Sequence, residues 1–251
     1  MNDLQFNINS NPGLNPKSVI EKTINIFKSN PFIFAGLALS VAVLGIIMSI
    51  FLRQSVFVLI FAIMFMAIAA STYAVHASLT GKEVSYKEAF AGMSNHFGQL
   101  MVTLVILLVT IIVLIVIIAL PLNIIRIPES ISIPIVGIVV MGVFSVLMLS
   151  VPVIVVEKIN AISALKRSFK LTEGNRLSVF IIMLLAVIIP SFIIYLISAI
   201  LGMIGLYMLA MFVTLILSIV PQILLCISIS IIYFDLRKLK ENVDPENITF
   251  K

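Results

Sequence analysis

The stretch Pro134–Val156, PIVGIVVMGVFSVLMLSVPVIVV, runs directly into Glu157–Leu171, EKINAISALKRSFKL, and this junction decides the fold. The first part carries no charge and is long enough to cross a bilayer, which takes roughly 20 apolar residues at about 1.5 Å rise each. The second part changes character. Ile159, Ile162, Leu165 and Phe169 fall at helical spacing on one face, while Lys158, Ser163, Lys166, Arg167 and Lys170 lie mainly elsewhere around the wheel. Such a basic amphipathic helix lies in the headgroup plane, its cations on anionic lipid and its apolar face buried.

Five further stretches resemble the first. The expected spans are 31–52, 55–79, 97–120, 134–156, 177–203 and 206–234, and none of the 16 Lys and Arg or 11 Asp and Glu lies inside them. A central Lys or Arg would cost about 2.5–3.5 kcal/mol on insertion. The chain is 61% hydrophobic and 11% charged, too apolar to cover itself with polar surface in water. The expected fold class is therefore all-α, a polytopic membrane bundle of six transmembrane helices with interfacial amphipathic helices. A polar tail, 1–16, precedes a single membrane domain, 17–240, and a short tail, 241–251, follows it. The first apolar stretch begins only at Pro31 with no small-residue cleavage site after it, so an uncleaved insertion signal is expected.

The cations alternate between gaps. Lys17, Lys22 and Lys28, then Lys82 and Lys87, then Lys158, Lys166, Arg167, Lys170 and Arg176, then Arg237, Lys238, Lys240 and Lys251 fall on one side, and only Arg53 and Arg126 on the other. The positive-inside rule then places both termini in the cytoplasm of a multi-pass cell-membrane protein. Amphipathic patterns also precede the first and third spans. Ile20, Thr23, Ile24 and Phe27 lead to Asn30, and Tyr86, Ala89, Phe90 and Met93 lead to Asn95, as Ala161, Ala164, Leu165 and Ser168 lead to Asn175. Asn favours helix caps and turns. Three copies of an interfacial helix followed by a transmembrane hairpin are the simplest organisation.

Within the spans the polar content is small. The absence of ionised groups there counts against a proton-coupled carrier. Ser71, Thr72, Tyr73 and His76 form a polar cluster near the inner end of the second span. Pro190 and Pro221 each remove a backbone hydrogen bond. With Tyr195 and Gln222 nearby, they mark either two packing kinks or a cavity between the fifth and sixth helices. Glu157 and Asp235 end the fourth and sixth spans. Together with Lys166, Arg167 and Arg237 they are expected to clamp the spanning helices to the interfacial ones. Lys158, Lys166, Arg167 and Lys170 are the expected lipid-headgroup contacts. Cys226 is the only cysteine, which excludes an intrachain disulfide and a Cys-based metal site. No cofactor, metal or nucleic-acid partner is expected.

An ordered series of motifs carries a family likeness. PVIVVE at 152–157, AISALKRSFKLTEGN at 161–175 and YFDLR at 233–237 together resemble the membrane domain found in some glycerophosphoryl diester phosphodiesterases and in free-standing prokaryotic membrane proteins. The likeness covers mainly the second half. Phe169 stands where that family often has Trp, and this chain has no Trp. The resemblance implies the six-span architecture with its elbow helix. It implies no hydrolase activity, because the polar segments outside the spans are too short for a phosphodiesterase barrel. The expected function is non-enzymatic, a scaffold or accessory to a lipid, export or immunity system that contacts anionic lipid and a cytoplasmic or membrane protein partner. The alternative is a small transporter or channel component using the Pro190 and Pro221 region.

Overall fold

The computed structural model describes residues 13–37, 39–40, 56–83 and 85–248, and among these it is helical without strands. The helices are α1 (Pro16–Ser29), α2 (Val56–Leu79), α3 (Tyr86–Ser94), α4 (Phe97–Ile124), α5 (Glu129–Met148), α6 (Ser150–Glu157), α7 (Ala161–Leu171), α8 (Arg176–Met203), α9 (Tyr207–Leu217) and α10 (Ile219–Glu241). Residues 31–37 and 39–40 are also helical. Five helical stretches among the described residues are long and apolar enough to cross a membrane: Phe61–Leu79, Phe97–Ile124, Glu129–Glu157, Arg176–Met203 and Tyr207–Glu241. Most of the expected first span, 31–52, lies outside the described residues.

Proline explains two helix breaks. The α5–α6 helix is interrupted at Leu149, three residues before Pro152, and the α9–α10 helix at Ser218, three residues before Pro221. Proline has no N–H, so the carbonyls of Met148 and Leu217 lose their usual donor. The sequence reading paired Pro221 with Pro190. The structure pairs it with Pro152 instead, for α8 runs unbroken through Pro190 from Arg176 to Met203.

The three short segments expected to be amphipathic helices are helical, and α1 presents a face shifted from the expected one. On α1 the buried residues are Val19, Thr23 and Ile26, whereas Ile24 is exposed. The Thr23 hydroxyl faces Ser228 of α10 at 3.2 Å, which turns the helix one residue from the expected register. On α7 the buried residues are Ala161, Ala164, Ser168 and Leu171, and Ile162 and Phe169 point outward. Small side chains let α7 lie close against the bundle, which leaves its large apolar residues for an apolar surrounding.

The core sits at the charged end. Every residue from Ser150 to Val156 is buried, as is nearly all of α10 from Cys226 to Leu236. Ser71 and Thr72 of α2 both lie 3.2 Å from Ser230 of α10, so a hydroxyl seam joins the two helices. Away from this end the surface is apolar. Ile112, Ile117, Ile124, Ile133, Phe192, Met203 and Met208 are all exposed. An apolar surface this extensive is consistent with helices that could cross a membrane.

Candidate functional site

The most organised polar arrangement is built where α6, α7 and α10 meet. α6 stops after Glu157 because Lys158 adopts a left-handed conformation (φ 53°), its N–H donating to the Ile154 carbonyl at 3.0 Å. Asn160 then starts α7, its side-chain oxygen accepting from the Ser163 N–H at 2.9 Å. An N-cap of this kind satisfies an orphan donor of the first turn. The tight reversal brings Arg167 back beside Glu157, and its Nε donates to both carboxylate oxygens at 3.1 and 3.2 Å.

Three side chains of α10 close the arrangement. The Tyr233 hydroxyl donates to Glu157 Oε1 at 3.1 Å and accepts from Arg237 Nη1 at 3.2 Å. Arg237 Nε donates to Glu241 Oε2 at 3.2 Å, and Glu241 Oε1 accepts from Arg167 Nη2. Glu157, Arg167, Glu241, Arg237 and Tyr233 therefore form a closed ring with two cations and two anions. The charged members are 16–26% exposed, so water screens them only in part. Burial alone would lower the pKa of Arg167, but the hydrogen bonds and charges of Glu157 and Glu241 outweigh it and raise it. An exposed ion pair contributes about 0–1 kcal/mol. Half-buried and mutually hydrogen-bonded links contribute more, about 1.5–3 kcal/mol for a hydrogen bond to a charged group.

A second clamp uses α1. Lys22 Nζ donates to both oxygens of Asp235 at 2.7 and 2.8 Å. The chain just before α1 is held as well, the Leu14 N–H donating to Asn175 Oδ1 at 2.8 Å. The start of α7 is tied too, the Ala161 N–H donating to Gln99 Oε1 at 3.1 Å. Asn175 therefore does not cap α8 with its side chain but holds the opposite end of the chain. The asparagines that cap with their side chains are Asn15 on α1 and Asn160 on α7.

The expected clamp residues divide into two groups. Glu157, Arg167 and Arg237 meet in the ring. Asp235 does not join them, because α1 supplies Lys22 from a distant part of the sequence. Lys166 is exposed and stands outside both clamps. Sequence reading missed Tyr233, Glu241 and Lys22 as clamp members, although Tyr233 and Glu241 lie one turn on either side of Arg237 and could be found by that spacing. Of the expected headgroup contacts, Lys158, Lys166 and Lys170 are exposed, whereas Arg167 is committed to two carboxylates.

The residues expected to share a cavity do not come together. Tyr195 is 69% exposed on α8. Gln222 lines a narrow cleft with Phe34, Met64, Ser71 and Cys226, between α10, α2 and the helical residues 31–37. Its free volume is about 20 Å³, room for about one water molecule. Among the described residues no group of three or more His, Cys, Asp or Glu could hold a metal ion. No family model, curated protein or solved structure matches the chain.

Proposed function

We propose that the protein is a non-enzymatic integral membrane scaffold, an accessory to a lipid, export or immunity system. Its short amphipathic helices lie on the cytoplasmic face of the cell membrane. The observation that carries this reading is the division of labour around α7. The ring neutralises Arg167 and Arg237 internally, and Lys158, Lys166 and Lys170 remain exposed beside the outward-facing Ile162 and Phe169. Fixed cations next to exposed apolar side chains suit a membrane surface bearing anionic lipid. The wider plan in this reading has six spans, the first at 31–52, in three helix-plus-hairpin units. The matching positions of Lys22 and Arg167 after their caps support a repeat of two of the units, and the resemblance to the phosphodiesterase-associated membrane domain supports the wider plan.

Native mass spectrometry of protein released from bilayer discs tests the reading. Discs containing phosphatidylglycerol should leave more lipid on the protein than discs of phosphatidylcholine. Combined Lys158→Gln, Lys166→Gln and Lys170→Gln should remove most of that preference. An unchanged preference in the triple variant overturns the assignment of α7 as a headgroup-binding helix. Solute flux in proteoliposomes that is lost on Gln222→Leu would replace the scaffold reading with the transport one.

A further inference from the structure

An open groove runs between α5 and α8, and we propose that it binds an acyl chain of an anionic phospholipid whose phosphate sits on Arg176. The inference deepens the lipid part of the proposed function and rests on it only in placing the charged end of the bundle at a membrane surface. The groove has a volume of about 570 Å³, within the range of sites that hold small molecules. Ile138, Gly142 and Leu147 of α5 and Phe180 of α8 line it, with Phe169 and Arg176 at its mouth.

Its dimensions match one leaflet. From Ile138 to Leu147 the helix rises about 14 Å, close to half of a hydrocarbon core about 30 Å thick. Both Ile138 and Val139 are exposed, so the deep end opens sideways into the lipid-facing surface rather than into water. The groove also has an open floor. A Cβ placed on Gly142 meets no atom within 4 Å.

Arg176 supplies the charge complementarity. Its guanidinium lies 3.9 Å from the centroid of the Phe169 ring. No salt bridge is made by Arg176 among the described residues, unlike Arg167 and Arg237, which both reach carboxylates. A guanidinium stacked on an aromatic face keeps its donor edges free, and those edges match a phosphate in a bidentate fashion. Arg176 is also the first residue of α8, where the helix dipole favours an anion. A cation with free donors at the surface, above an apolar channel one leaflet deep, fits a phospholipid and does not fit a soluble peptide.

The test uses full-length protein in liposomes that contain phosphatidylglycerol with a photoactivatable acyl chain. Peptide mapping should place the cross-links mainly on 138–147 and 177–180. Gly142→Phe fills the groove and should lower that yield about tenfold, the effect of losing roughly two buried methylenes' worth of contact. Arg176→Gln should remove a preference for phosphatidylglycerol over phosphatidylcholine of about fivefold, as expected for one interfacial cation. The combined Lys158, Lys166 and Lys170 variant should keep the groove labelling, which separates this site from the general headgroup reading. Labelling of the wild type spread evenly over the exposed faces of α4 and α9 overturns the proposal, whatever the variants do. So does groove labelling that Gly142→Phe leaves unchanged.

Discussion

Lys22 and Arg167 occupy the same position in two different helices. Each lies seven residues after an Asn that caps its helix, Asn15 or Asn160, and each reaches a carboxylate of another helix, Asp235 in the last two turns of α10 or Glu157 at the end of α6. The buried faces also coincide. Val19 and Ala164 lie four residues after the cap, Thr23 and Ser168 eight, and Ile26 and Leu171 eleven. The third short helix starts after Ser85, with Ala89 buried at the same offset, but its seventh residue is Gly92. Its junction therefore has no cation to offer at that place.

Exchanging the charges tests the Lys22 clamp. Lys22→Asp or Asp235→Lys alone places like charges together and is expected to cost about 1–3 kcal/mol. The double exchange should recover all but about 1 kcal/mol, because the two groups couple directly. Thermal unfolding in detergent measures this, and a double variant no more stable than the singles would show that the pair is not a clamp.

Tyr233→Phe keeps the buried ring and removes only the hydroxyl that links Arg237 to Glu157. The expected loss is about 1–2 kcal/mol, since both partners are charged. Lys238→Gln is the contrasting substitution. Its partner Asp244 is half exposed and Lys238 more so, so water screens the pair and the change should leave the unfolding temperature nearly unaltered. Equal losses would mean that the ring is no stronger than a surface pair.

Ser150 and Ser168 should respond in opposite directions to alanine. The Ser168 hydroxyl donates to the Val146 carbonyl, next to the α5–α6 break. Ser150 Oγ is buried with no hydrogen-bond partner among the described residues. Ser168→Ala should cost about 1 kcal/mol, and Ser150→Ala should be neutral or stabilising, because it removes a buried group that is not satisfied. Denaturation midpoints of the two variants in the same detergent decide it.

His96 gives a pH dependence with a defined sign. It precedes α4, and burial, with the charge of Lys158 added, lowers its pKa from the ordinary 6.5. The unfolded chain then binds a proton more readily than the folded one, so stability rises with pH in that window. The contribution is complete above about pH 6.5 and is lost as pH falls toward the lowered value. His96→Gln should flatten the dependence of the unfolding temperature on pH between about 5 and 7. An unchanged slope would rule His96 out as its source.

The sequence made some features readable and hid others for physical reasons. Charge-free runs such as 97–120 and 177–203 could be read as long helices because composition alone decides them. The Glu157–Arg167 pair could also be read, since both groups flank one short turn. Asp235 was misread because its local neighbours Arg237 and Lys238 looked sufficient, while its true partner lies 213 residues away. The break at Leu149 went unnoticed because Pro152 sits inside a continuous apolar run, where hydropathy is blind to backbone donors. Tyr195 and Gln222, grouped by sequence around the two prolines, face different surroundings. A helix can absorb one missing donor without opening, and Tyr195 turned outward to the apolar surface.

The ties at Leu14 and Lys22 have a consequence for how the chain is made. α1 leaves the ribosome well before Asn175 and Asp235, the residues that hold it. Until α10 is made, α1 has its cap and its amphipathic face but no partner there. The Lys22 clamp can close only once α10 has been made, so α1 is locked later than the helices that lie between them in the sequence.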